Sequence, residues 1–243
     1  MMSVSIIIPT LNEAQELPRL LAHLDQLEPA PLEIIISDGG SSDDTLAIAQ
    51  RYKVVILHNN KKGRAFQLHQ ASILAKGDIL CFLHADTFPE KNFISTVRAT
   101  LSNPNIVLGG FRSIMKGVKI RHLITFHNRI KTYYAPFFYN PIQTIFKGLR
   151  LLFGDQLMFC RKQDYLKSGG FNAELLIMEE ADLCLKMYKM GKIVQLKEKV
   201  YSSDRRVLHW GSLKAHSIYI LIAMAWGFGF SSEKLAKIYG NIR

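Results

Sequence analysis

No Gly-x-Gly-x-x-Gly follows the first apolar run of this sequence, where Pro9-Thr10-Leu11-Asn12-Glu13 stands instead, and no Gly-x-x-x-x-Gly-Lys-Ser/Thr occurs anywhere. Those absences argue against a dinucleotide enzyme and a P-loop NTPase. Cys-x-x-Cys and His-Glu-x-x-His are missing too, which argues against a dedicated zinc site. There are only three cysteines, an odd number, each in apolar surroundings. They read as core thiols of a reducing compartment. No uninterrupted apolar run reaches the roughly 18 residues of a membrane span, and no apolar leader precedes the first strand, so a cytosolic location is expected. Acids are scarce: 20 Asp and Glu face 31 Lys and Arg, a formal net charge of +11. That balance favours anionic partners. Nucleic acid is not expected among them, because the basic residues are scattered and form no Arg-rich arm.

What the chain does have is a series of short apolar runs ending in polar loops. Ile79 to Leu83 opens after Gly77-Asp78 and closes on His84-Ala85-Asp86-Thr87, the pattern of a strand buried on both faces. Val4 to Ile8 ends in Pro9-Thr10-Leu11-Asn12-Glu13, and Leu32 to Ile36 ends in Ser37-Asp38-Gly39-Gly40-Ser41-Ser42-Asp43. Helical spacing separates them at Leu17, Leu20, Leu21, Leu24 and again at Ala65, Leu68, Ala71, Leu74, with a short strand over Val54–Leu57. This β-α-β alternation predicts an α/β fold, a Rossmann-like, mostly parallel sheet flanked by helices. Ligands then bind outside the carboxyl ends of the strands.

Further along, Phe93 to Leu101 reads as a helix, and Ile106–Phe111, Leu157–Cys160 and Val194–Val200 read as strands. The basic, aromatic segment 118–153 predicts one or two helices beside a lid or acceptor-side loop. Residues 216–230 hold an apolar stretch of about 14 residues, too short to span a membrane. It is read as a helix packed on the domain or in a dimer contact, as an interfacial contact anchored by Trp210, Lys214, Tyr219 and Trp226, or as a re-entrant segment.

Carboxylates at strand ends ligate hard cations and accept hydrogen bonds from sugars and bases. Asp86 is the candidate metal ligand, and His84, two residues back on an extended chain, shares its facing. His84 is either a ligand or substrate contact or a satisfied strand-end histidine. Asp38 either reads a nucleoside beside the permissive Gly39-Gly40 or caps its own turn. Glu179-Glu180-x-Asp182 opens a helix. Its acids either interact with the helix N-terminus or supply a general base whose proton affinity is raised by its neighbour.

Taken together these motifs resemble a family 2 glycosyltransferase of the GT-A fold, and more closely the small bacterial subgroup associated with arsenosugar biosynthesis clusters. Ser5-Ile6-Ile7-Ile8-Pro9-Thr10-Leu11-Asn12-Glu13 resembles the opening strand and nucleotide loop, and Asp38-Gly39-Gly40-Ser41-x-Asp43-x-Thr45 the segment whose aspartate contacts the base. Gly63-Arg64-Ala65 falls where the family has it. His84-Ala85-Asp86 occupies the Asp-x-Asp position with histidine in place of the first aspartate. Gly154-Asp155-Gln156, Gly169-Gly170-Phe171 and Glu179-Glu180-x-Asp182-Leu183 resemble the acceptor-side motifs, with Glu180 where the family usually has its catalytic aspartate. Ser202-Ser203-x-Arg205-Arg206 resembles the subgroup.

The resemblance implies an inverting transferase that moves a sugar from a nucleoside-diphosphate donor to a small-molecule or lipid-linked acceptor. Glu180 would be the base. Pro9, Thr10, Asn12, Glu13, Asp38, Gly63, Arg64, His84 and Asp86 would bind the donor. Asp155, Gln156, Glu179 and Asp182 would face the acceptor, Arg205 and Arg206 would meet phosphate, and Asp86 would hold Mg²⁺ or Mn²⁺. Residues 1–210 are expected to form the catalytic domain, divided into a nucleotide-sugar-binding half (1–110) and an acceptor-side half (111–210). A helical extension (211–243) follows, with an anionic membrane surface or a homodimer as its partner. A nucleotidyltransferase, or a non-catalytic sugar-nucleotide-binding or membrane-associated scaffold, is the alternative.

Overall fold

The computed structural model describes residues 1–117, 120–205 and 211–242. Strands β1 (Val4–Thr10), β2 (Glu33–Asp38), β3 (Val55–His58) and β4 (Ile79–Phe82) alternate with helices α1 (Leu17–Leu24), α2 (Thr45–Ala49) and α3 (Arg64–Leu74). Then come β5 (Thr87–Pro89), α4 (Phe93–Leu101), β6 (Ile106–Lys116), α5 (His122–Tyr139), α6 (Pro141–Lys147), β7 (Met158–Arg161), α7 (Lys162–Lys167), α8 (Glu179–Tyr188) and β8 (Lys192–Ser203). Helices α9 (Ser212–Gly227) and α10 (Ser232–Ile242) follow.

The eight strands form one sheet in the order β3-β2-β1-β4-β7-β6-β8-β5. Its first four members are parallel, as right-handed crossovers through α1 to α3 require. β7 joins antiparallel to β4 and β6, β8 lies parallel to β6, and β5 closes the edge antiparallel to β8. The result is the α/β, mostly parallel architecture expected from the alternation. The sequence reading did not anticipate β5. Three residues that read as loop and helix start pair instead with Val200, Tyr201 and Ser202.

Alternation of side chains along β1 distributes the core over both faces of the sheet. Ile6 and Ile8 pack with Leu17, Leu20, Leu21, Leu24 and the apolar side of α4, while Ile7 packs with Leu68, Ala71 and residues of α8. All three cysteines are buried and unpaired, and burial drives the Cys184 thiol up to about 12. The apolar stretch of α9 gives Ala215, Ile218 and Ile222 to the interior, where the helix lies against α5. Among the described residues, no helix is long and apolar enough to cross a membrane. Trp210, proposed from the sequence as an anchor, lies outside the described residues.

Candidate functional site

Three strand ends converge because β2, β1 and β4 are parallel neighbours, and the loops after them are tied to each other. Asn12, held at a positive φ of 57°, accepts from the Ser42 amide at 2.8 Å, and the Glu13 amide donates to the Thr45 hydroxyl at 2.8 Å. Beneath them the buried amide of Gln67 donates to the carbonyls of Thr10 and Ser37 at 2.8 and 2.6 Å. Gln67 was missed by sequence reasoning, since a glutamine inside an amphipathic helix carries no pattern that marks it.

Asp38 is buried, and both carboxylate oxygens are engaged within its own neighbourhood. One accepts from the Thr10 and Ser41 hydroxyls at 3.1 and 2.5 Å, and the other from the Gly40 and Ser41 amides at 2.9 and 2.8 Å. Of the two sequence readings, this geometry is that of the turn organiser. Asp38→Ala would strand two amides and two hydroxyls, so a loss of about 1–3 kcal/mol is expected in chemical denaturation. An unchanged midpoint together with weakened nucleotide binding would return Asp38 to direct nucleoside contact.

Asp86 extends from the end of β4 toward Arg205, whose guanidinium reaches Asp86 at 3.2 Å, Glu13 at 2.9 Å and Glu16 at 3.9 Å. Arg205 therefore ties the loop after β1 to the residue proposed for metal binding. Arg206 lies outside the described residues. Among those described, no group of three or more His, Cys, Asp or Glu side chains could hold a metal ion. A divalent ion held through Asp86 would keep most of its coordination on substrate phosphates and water, as Mg²⁺ commonly does.

Gly63, at φ 140°, launches α3 in a conformation L-residues rarely adopt and sets Arg64 in its first turn. Arg64 turns its guanidinium toward α8. Its guanidinium donates from Nε to Glu179 and from Nη2 to Glu180 at 3.0 Å. Glu179 and Glu180 form the first turn of α8, where the helix N-terminus favours negative charge, yet both are buried. Burial drives the Glu180 carboxyl up to about 7, with Arg64 opposing the rise and Glu179 adding to it.

The mouth of this site is the tight turn Gly154–Gln156, a 3-10 element. A Cβ on Gly154 would lie 2.2 Å from His84 Nε2 and 2.6 Å from Glu180 Oε1. His84 and Glu180, nearly a hundred positions apart in sequence, thus converge on one glycine. Asp155 accepts from Lys131 at 2.7 Å. Burial alone would raise the Asp155 carboxyl, but the Lys131 ammonium holds it below the ordinary range. Lys131 was also missed, hidden in a segment whose aromatics dominate its pattern. The other two acceptor-side candidates have local partners. Gln156 is fully buried and bonds Thr132, Asn128 and Phe153, while Asp182 pairs with Lys186 at 2.7 Å along α8. Pro9 sits in β1 opposite Ser37.

The candidate site therefore consists of two groups gathered at the carboxyl edge of the sheet: Asp86 with the Glu13–Arg205 pair, and His84 with Gly154 and Glu180. Such a constellation can receive a phosphate-bearing ligand and hold a carboxylate whose ionisation falls near neutrality.

The chain is 30% identical over 116 residues to an uncharacterized glycosyltransferase, YfnE, of Bacillus subtilis, covering 45% of this chain and 30% of that protein. It is 28% identical over 200 residues to an uncharacterized glycosyltransferase of Haemophilus influenzae, covering 76% and 61%. The chain thus spans about a third of the first of these relatives and under two thirds of the second. In fold it is similar to a mannosyltransferase of Pyrobaculum calidifontis solved with GDP-Man and Mn²⁺, with a TM-score of 0.70 and 16% identity over 99% of this chain and 70% of that one. It is also similar to Mycobacterium tuberculosis glucosyl-3-phosphoglycerate synthase, solved with Mn²⁺, UDP and phosphoglyceric acid, with a TM-score of 0.65 and 18% identity over 94% and 79%. The sequence model of Glycosyl transferase family 2 matches residues 5–167, more than half of the chain, and the chain belongs to that family.

Proposed function

We propose that the chain is an inverting, metal-dependent glycosyltransferase acting on a nucleoside-diphosphate sugar. The observation that carries this reading is Glu180: a carboxyl pushed up to about 7 by burial, set at a helix start against Gly154 and His84, two residues before Asp86 in the chain. A base poised near the working pH combines the ionised form with useful proton affinity. In the reaction, the acceptor hydroxyl oxygen bonds to the anomeric carbon as the bond from that carbon to the donor phosphate oxygen breaks. Glu180 takes the hydroxyl proton, and the nucleoside diphosphate leaves on the opposite face.

Asp86 would hold Mg²⁺ or Mn²⁺ together with the donor diphosphate. That ion supplies charge stabilisation at the leaving phosphate. Arg205 is the basic residue beside this position, and Thr10, Asn12 and Glu13 shape the nucleotide side of the crevice. His84, just past the end of β4, would face the sugar. The protein chemistry of the neighbours, which bind Mn²⁺ with GDP-Man or UDP, supports the choice of donor and ion. A closer placement in the arsenosugar-associated subgroup rests on Leu83-His84-Ala85-Asp86-Thr87 and the Ser202-Ser203-x-Arg205-Arg206 segment. The division into a 1–210 catalytic domain and a 211–243 extension belongs to the same proposal. So does a cytosolic location, which the three free buried thiols support.

The test is product analysis with a panel of nucleoside-diphosphate sugars and hydroxyl acceptors, with Mn²⁺ or with chelator. Release of nucleoside diphosphate with a new glycoside, and loss of donor binding in chelator, are expected. Pyrophosphate as the released product would identify nucleotidyl transfer instead, and turnover unaffected by chelator would remove the ion from the account.

A further inference from the structure

Helix α5 carries polar residues on its buried side and an apolar row on its exposed side. Its buried side carries Ile124, His127, Asn128, Thr132, Ala135 and Pro136, while Leu123, Phe126, Tyr133 and Phe137 recur at helical spacing on the exposed side. A surface helix of a globular domain presents the opposite arrangement. The chain then turns at Asn140 into α6, which buries nothing: Ile142, Ile145 and Phe146 are 68%, 63% and 80% exposed. Tyr139, at the junction, stacks on Trp226 of α9 at 4.8 Å. A continuous apolar surface of this kind marks an interaction site.

Charge identifies what covers it. Between Glu90 and Asp155 the sequence contains ten Lys and Arg and not one Asp or Glu. Arg129 and Lys147 are exposed on these two helices, and Arg150 lies over the Tyr133 ring at 4.8 Å. An isologous contact with a second copy would bring this acid-free surface against itself, cation to cation. Exposed aromatic and aliphatic side chains on helices whose exposed charges are Arg129 and Lys147, with Arg150 beside them, match an anionic phospholipid surface, where apolar groups enter the headgroup boundary and basic ones meet lipid phosphate. No described helix can cross the membrane, so the contact is one of lying upon it.

We propose that α5 and α6 form a docking face for an anionic membrane surface. This differs from the sequence expectation, which set such a contact in residues 216–230. There Ile218 and Ile222 belong to the interior, while Leu221, Phe228 and Phe230 are exposed. The inference concerns a surface outside the catalytic crevice and holds whether or not the transferase reading does.

Vesicle sedimentation of the purified chain tests it, with phosphatidylglycerol–phosphatidylcholine vesicles compared with phosphatidylcholine alone. The chain should partition onto the anionic vesicles and be released in part at about 0.5 M salt, where charge attraction is screened. The combined variant Ile142→Ser, Ile145→Ser, Phe146→Ser should lower partitioning at least about ten-fold, because apolar insertion is lost, and Arg129→Glu with Lys147→Glu about as much. Leu213→Ser with Leu221→Ser on α9 should leave it within about two-fold. Since the native thiols are all buried, Ile142→Cys accepts a polarity-sensitive dye selectively, and its emission should shift to the blue on anionic vesicles. That readout decides the matter should the serine variant fail to fold. No partitioning by the unmodified chain, equal partitioning on neutral vesicles, loss only with the α9 variant, or a dimer dispersed by the serine variant would each overturn the proposal. Turnover of a soluble acceptor is measured alongside, and a folded α6 variant should keep it.

Discussion

Glu180→Gln is expected to bind donor as the unmodified protein does and to turn over roughly 10²–10⁴-fold more slowly, the usual contribution of general-base assistance. The amide nearly preserves shape and can still meet Arg64, which holds the carboxylate at 3.0 Å, so the site stays assembled while its proton acceptor is gone. Glu180→Asp restores the residue common in the family but shortens the side chain by one methylene. The shift withdraws the carboxylate from Arg64 and from the Gly154 turn, and a misplacement of about 1 Å can cost about 10² in rate. Reduced turnover is therefore expected from that variant too. Full turnover by Glu180→Gln would move the base to Glu179 or Asp155, and loss of binding along with turnover would assign Glu180 a structural role.

Gly154→Ala should be nearly as damaging to turnover and almost harmless to the fold. The backbone at 154 is not left-handed, so alanine brings no conformational strain of its own. Its methyl group would instead overlap His84 Nε2 and Glu180 Oε1, both ends of side chains that can swing aside. The main chain then stays where it is and the two functional groups move, with an expected loss of at least about 10² in kcat/KM. Because both changes act on the Glu180 carboxylate, the double variant Gly154→Ala, Glu180→Gln should lose less than the product of the two single losses, the excess over the worse single reporting the displaced His84. A multiplicative loss would mean that the glycine matters for something other than the placement of Glu180. Steady-state kinetics with thermal melts of all three variants decide between these outcomes.

The parallel half of the sheet was legible because its strands are apolar on both faces and end in abrupt polar loops. β1, β2, β3 and β4 lie within a residue or two of where periodicity predicts them. β5 was not legible, since three residues that follow a functional loop and end in a proline carry no period and pair only because β8 passes beside them. The acidic members of the site were visible one at a time, as carboxylates at strand and helix ends. Their partners were not. Nothing local to Arg64 announces that it lies between Glu179 and Glu180 and not against phosphate, because that arrangement depends on α3 and α8 meeting across more than a hundred residues. Gly154 likewise looked like part of a turn. Its role as the point where His84 and Glu180 meet exists only in three dimensions.

The most direct test of the account is the pH dependence of kcat/KM for glycosyl transfer, compared between the unmodified protein and Glu180→Gln. A base must be ionised to accept a proton, and burial drives the Glu180 carboxyl up to about 7. Below that pH the protonated form dominates, so the rate should climb with pH through about 7 and then level, and the slow residual activity of Glu180→Gln should lack that limb. The same limb in both proteins would contradict the assignment of Glu180 as the group that deprotonates the acceptor.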